Sequence, residues 1–151
     1  MKKLSLLIFF IFCTQNLKGQ SISVTGDWNY TVPSTDITEA GEDFTGIYES
    51  NVNQVSIDIQ YNNKWEVSIN KNDIDWINDF KLSMRRTGEG LGSKKLKGGK
   101  NYKEIKNGVA KFFSGDKDRF FIPIQFKIEN VSVTIPVNTY IVEIVYTVKA
   151  N

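Results

Sequence analysis

No histidine occurs in this chain of 151 residues, and cysteine occurs once, at Cys13. Those two gaps exclude much chemistry. A Ser–His–Asp triad needs an imidazole, a thiol nucleophile needs a cysteine, and conventional zinc sites draw on both residue types. Carboxylates remain for acid–base work, but the seventeen acidic residues show no spacing that singles out a pair for glycoside hydrolysis. Proline is scarce, at Pro33, Pro123 and Pro136. Helical periodicity is scarcer still. Trp76 and Phe80, four apart, would allow one turn within 73–80, and the same residues also read as a loop feeding a strand. We therefore expect neither enzymatic activity nor a cofactor.

The long apolar run is LSLLIFFIF, residues 4–12. It follows Lys2 and Lys3, and it is too short for a membrane-spanning helix but suits the apolar part of an export signal. Gly19 is a small residue at a plausible cleavage point. Cys13 follows Ile11 and Phe12, and Phe12 is too large for the small-residue position of a lipoprotein signal. The expectation is a signal peptide over 1–19 and one domain over 20–151, exported to the periplasm, the cell surface or the medium. Such a domain holds no cysteine and relies on its core rather than on disulfides.

Alternation of period two recurs from end to end. Val55, Ile57, Ile59 and Tyr61 alternate with polar residues, and Trp65, Val67 and Ile69 do so after the Asn62-Asn63-Lys64 break, which is a hairpin signal. Phe80, Leu82 and Met84 share one face of a further strand. Phe120, Ile122, Ile124, Phe126 and Ile128 share another, with Pro123 marking an edge, a bulge or a strand start. Shorter strands are expected around Ile22 and Val24, over 28–32, around 47–50 and over 131–135. In TYIVEIVYTVK, residues 139–149, Tyr140, Val142, Ile144, Tyr146 and Val148 form a fully apolar face. The pattern predicts an all-β fold, an antiparallel β-sandwich of Ig-like or pilin-like type with eight or nine short strands.

Charge is unevenly distributed. Residues 27–79 carry eleven acids and two bases, whereas 81–106 carry nine bases and two acids. Such halves either pair within the fold or offer complementary surfaces to other molecules. The basic segment includes RRTGEGLGSKKLKGGKNYK, residues 85–103. It is no phosphate loop, since Ser93 stands where a second glycine is needed after Gly88. Gly88, Gly90 and Gly92 also miss the dinucleotide spacing, and no helix follows. Arg85, Arg86, Lys94, Lys95, Lys97, Lys100 and Lys103 remain candidate contacts for a glycan or another polyanion. Between Phe80 and Phe112 the one aromatic is Tyr102, too few stacking residues for single-stranded nucleic acid. Loops 33–43 and 88–101 are expected to be the mobile parts.

Asp73, Asp75 and Asp79 are candidate calcium ligands, although their spacing is not that of an EF-hand. Trp28 and Trp76 are candidate stacking residues for a sugar, whereas Trp65 is in phase with Val67 and Ile69 and belongs to the core.

The apparent leader, the short strands and the terminal strand TYIVEIVYTV together resemble exported bacterial pilin-like subunits, including the spore coat protein U group. That resemblance implies a surface structural subunit or adhesive module, with the segment SISVTGDWNYTV, residues 21–32, as the strand one copy donates to another copy or to another exported subunit. The chain departs from the group in having no cysteine after Cys13. The alternative expectation is a periplasmic or secreted module that binds glycan or polyanion through loop 88–103.

Overall fold

β-Branched and aromatic residues at alternate positions favour a pleated, half-buried backbone, and ten strands form on this pattern. The computed structural model describes residues 19–37, 39, 41–44 and 46–151. The expected export signal, up to residue 18, lies outside the described residues. The strands are β1 (Ser21–Thr25), β2 (Tyr48–Glu49), β3 (Val55–Gln60), β4 (Lys64–Asp75), β5 (Lys81–Arg86), β6 (Lys97–Gly98), β7 (Lys103–Glu104), β8 (Ala110–Asp116), β9 (Arg119–Glu129) and β10 (Ile141–Ala150). Among the described residues there is no α-helix, only a 3-10 turn at Ser34–Asp36.

Two antiparallel sheets result. One runs β1-β3-β9-β5-β7, with β2 also paired to β9, and the other runs β10-β4-β8-β6. The predicted sandwich is thus observed, with ten strands rather than eight or nine. Ile57, Ile59, Met84, Ile122 and Ile124 of the first sheet meet Trp65, Val67, Ile69 and Phe113 of the second, all essentially without solvent contact. The indole Nε1–H of Trp65 donates to the carbonyl of Lys117 at 2.8 Å, so the largest core side chain leaves no polar atom stranded.

Several short elements depart from the pattern. Strand β8 breaks alternation because a bulge opposite Val67 and Ser68 buries Phe112 and Phe113 side by side. Residues 28–32 form no strand; Trp28 instead lies against Phe126, with rings 6.1 Å apart and nearly parallel. Residues 131–135 are a turn, since Asn130 has φ 66°, the Ile135 N–H bonds to the Ser132 carbonyl, and Pro136 follows. Residues 76–80 are loop and turn rather than helix. Pro123 sits in the central strand β9, just beyond a bulge at Phe121, which has φ 55°. Its carbonyl accepts from Thr87 N–H, so its nitrogen faces the point where β5 has ended and the missing donor is little needed.

The two ends of the sandwich differ in charge. The link from β4 to β5 and the link from β9 to β10 share one end with Asp36 and Asp43, as contacts Phe80–Tyr140, Tyr48–Asp36 and Asp43–Val133 require. Asp36, Asp43, Asp73, Asp75 and Asp79 therefore gather there. The β3–β4 hairpin and the Gly-rich loop before β6 occupy the other end, where Leu91 bridges to Phe120.

Truncating Phe113 to Ala should lower unfolding stability by about 3–5 kcal/mol, because its site lies between both sheets and cannot collapse. Urea unfolding followed by tryptophan fluorescence measures this.

Candidate functional site

Strand β5 sends its two arginines to opposite faces. Arg86 is in phase with Leu82 and Met84 and points between the sheets, where it is 2% exposed. Its Nε donates to the Gly98 carbonyl at 2.6 Å and its Nη2 to the Leu96 carbonyl at 3.1 Å. Nη1 reaches the Gly88 carbonyl and Glu89 Oε1, each at 3.0 Å. The guanidinium thus joins β5 of one sheet to β6 of the other and pins the Gly-rich loop. Sequence reasoning placed Arg86 among polyanion contacts; its side-chain donors are instead directed inward, and they bond the loop around it.

Glu89 completes the staple. Its Oε2 accepts the Leu96 N–H at 2.7 Å, and Lys100 stands 3.5 Å from its Oε1. Partial burial pushes the Glu89 pKa up, but the Leu96 N–H, Arg86 and Lys100 outweigh it and hold the carboxyl below its ordinary 4.5. Gly90 has φ 66°, and a Cβ there would overlap the Phe120 carbonyl, so only glycine fits beside the Leu91–Phe120 bridge.

Arg85 faces outward. Its guanidinium lies 4.6 Å from the centre of the Tyr102 ring and bonds to Gln125 Oε1 at 3.0 and 2.9 Å. Lys127 approaches the same ring at 4.7 Å. Burial and the nearby Glu49 carboxylate push the Tyr102 phenol up to about 12. Lys103 is half-buried and its Nζ donates to the Lys111 carbonyl. Lys94 and Lys95 on the loop into β6, and Lys97 at its start, are exposed. An open depression of about 400 Å³ lies between β6 and β7, lined by Leu96, Lys100, Asn101, Tyr102, Lys103 and Phe112. The seven basic candidates therefore divide: Arg86 is internal, Arg85 and Lys103 are held against neighbours, Lys100 is exposed beside Glu89, and Lys94, Lys95 and Lys97 stand in solvent.

The structure does not bring Asp73, Asp75 and Asp79 together. Asp73 pairs with the buried Lys71 at 3.1 Å, Asp75 continues β4 opposite Ile141, and Asp79 is exposed in the link to β5. Among the described residues, no group of three or more His, Cys, Asp or Glu lies at a spacing that would hold a metal ion. The calcium expectation is corrected accordingly: β4 runs straight through two of the three acids. Trp28 and Trp76 are wedges rather than platforms. Trp28 lies on Phe126 and beside Tyr30, and Trp76 meets Phe80 edge-on at 5.3 Å, both half-buried against the core.

The feature that sequence reasoning did not locate is a free edge. Among the described residues, strand β10 pairs with β4 on one side only, from Ile141 opposite Asp75 to Ala150 opposite Trp65. Val142, Ile144, Tyr146 and Val148 pack inward, while Ile141 and Val145 are 47% and 41% exposed on the outer face. Glu143 accepts from Asn72 at 2.9 Å, and Lys149 pairs with Glu66 at 3.2 Å. Strand β1 borders the same side of the sandwich and touches β10. It pairs along its full length with β3, so residues 21–25 occupy the edge of their own sheet.

The chain matches no family model, no curated protein and no solved structure.

Replacing Arg86 by Ala should cost about 3–5 kcal/mol, since Glu89 and three carbonyls lose their charged partner, and Lys should rescue little because it lacks the fork. Thermal melts of both variants measure this. The Glu89 pKa is depressed in the folded state, so its contribution is present above 4.5 and is lost as pH falls through the lower folded value. The melting difference between wild type and Glu89→Gln should therefore be largest near neutrality and shrink as pH drops below 4.5. Melts across that range check it.

Proposed function

We propose that this chain is an exported, non-enzymatic β-sandwich module, a structural or adhesive subunit of the cell surface, that associates with a protein partner through the free edge of β10. The observation that carries this reading is the edge itself: a ten-residue strand that, among the described residues, pairs with one strand and has no ladder along its outer side. Such an edge accepts another strand by main-chain hydrogen bonding, and natural proteins ordinarily shield edges this long. The opposite side of the sandwich ends in the two-residue strands β6 and β7, which offer no comparable template.

The resemblance to pilin-like subunits supports association by strand addition, but by a different route. Residues 21–25 are engaged in their own sheet, so β10 is the acceptor we propose and donation by residues 21–32 is not required. The absence of histidine supports a non-enzymatic role. The apolar run at residues 4–12 supports export.

A second reading has one observation in its favour: Lys94, Lys95 and Lys97 stand exposed together, as a contact for an acidic glycan or other polyanion would. Arg85, Arg86 and Lys103 are held inside the fold or against neighbouring groups, and Lys100 is paired with Glu89, which weakens it.

Light scattering behind size exclusion, at low and high salt, tests the edge reading. Oligomers that survive high salt are expected, because backbone pairing with apolar contact is not screened. Oligomers that dissolve in high salt would transfer the association to the acidic and basic ends and overturn the edge reading. A monomer under both conditions would also overturn it, and binding of an acidic polysaccharide by the three lysines would then be the reading to pursue.

A further inference from the structure

We infer that the partner at the β10 edge is a second copy of this chain, paired antiparallel about a two-fold axis at Tyr146. The inference rests on the edge-association reading above and specifies its partner and register.

The parity of the free backbone groups comes first. The Asn151 N–H bonds to the Lys64 carbonyl at 3.0 Å, which turns that residue toward β4. Backbone groups alternate sides along a strand. The backbone groups of Lys149, Thr147, Val145 and Glu143 therefore also face β4, and those of Ala150, Val148, Tyr146, Ile144 and Val142 face away from it, on the side where no strand is paired among the described residues. The bulge between Ile141 and Val142 ends this regular stretch. Its midpoint is Tyr146.

Pairing two copies about that midpoint sets Tyr146 opposite Tyr146, Ile144 opposite Val148 and Val142 opposite Ala150. Every one of these residues has the free groups that the ladder needs. On the outer face, Val145 meets Thr147 and Glu143 meets Lys149, once on each side of the axis. The strand is thus complementary to its own reverse, apolar to apolar and acid to base, which is what an isologous contact demands. Other registers lose this. Moving the axis to Val145 puts Lys149 opposite Ile141 at the bulge. Moving it to Thr147 puts Lys149 opposite Val145. Axes at Glu143 or Lys149 set like charges together. A slip that pairs odd with even residues turns the core face outward.

In this register the two Tyr146 side chains lie on the core face, one on each side of the axis. The dimer so formed joins two four-stranded sheets through β10 into one continuous sheet.

A charge-swap cycle on the full chain tests the register. Glu143→Lys and Lys149→Glu each set like charges opposite one another twice per dimer, and each alone should weaken dimerisation about tenfold or more, read by sedimentation across a dilution series. Mixing the two single variants should restore the dimer as a heterodimer, and so should the double swap in one chain. Restoration by mixing cannot come from a misfolded variant, so it separates register from fold. If the single variants dimerise like wild type, the Tyr146 register is wrong while edge association stands. If single variants weaken and neither mixing nor the double swap restores the dimer, the register is likewise overturned. A wild-type chain that stays monomeric throughout overturns both.

Discussion

Arg86 closes one side of the sandwich, and the arrangement of that whole side follows from its burial. A guanidinium taken out of water is costly unless every donor is satisfied and its charge is paired. Here the carbonyls of Gly88, Leu96 and Gly98 and the Glu89 carboxylate surround it. To bring four acceptors from one sequence segment around a single side chain, the chain must coil back on itself. Gly90, Gly98 and Gly99 supply the positive φ angles for that coil, at 66°, 81° and 72°. The glycines of the segment and its buried arginine thus have a structural cause. The loop wraps an arginine rather than a phosphate.

Much of the fold is legible because its central strands alternate cleanly. The hairpin β3–β4 and strands β5, β9 and β10 follow from apolar residues at every second position. Arg86 was equally legible in principle: it continues the phase of Leu82 and Met84, and a charged residue in a core phase signals a buried staple. Composition overrode phase, since a cluster of lysines and glycines suggests a solvated loop. Strand β8 was hidden for a different reason. A bulge places Phe112 and Phe113 on the same side, so alternation is lost where burial is greatest. The 131–135 segment erred the other way, with alternating Val131, Val133 and Ile135 but no neighbouring strand to pair with. Alternation reports which face of a strand would be buried, not whether a partner exists.

Edge status is non-local for the same reason. Nothing in TYIVEIVYTVK distinguishes a central from a terminal strand, because that depends on what pairs with it. Only the sheet order reveals that, among the described residues, β10 pairs with β4 on one side and with no strand on the other. The charge asymmetry was visible from the start, but its placement was not. The acids of 27–79 gather largely at one end because the links at that end carry them, whereas Glu66 sits on the outer face of the second sheet between Lys111 and Lys149. There Lys111, then Lys149, hold its carboxyl below the ordinary range against the opposing effect of burial. Acid and base therefore meet both within the fold and across its length.

The contrast between the two sides of the molecule bears on why β10 is built as it is. Edges are kept from uncontrolled pairing by shortness, proline, bulges or inward charges. The β6 and β7 side uses shortness, with two residues in each strand. The β10 side uses none of these between Val142 and Ala150: no proline, no bulge and no inward charge interrupts it. Its two charged residues, Glu143 and Lys149, point outward and stand equally far from Tyr146. Scattered like charges would repel any incoming strand, but one acid and one base placed symmetrically pair with each other in one register and are left unpaired or set against like charge in the others. Placed so, the same two residues can shield the edge against strangers and admit the strand's own reverse.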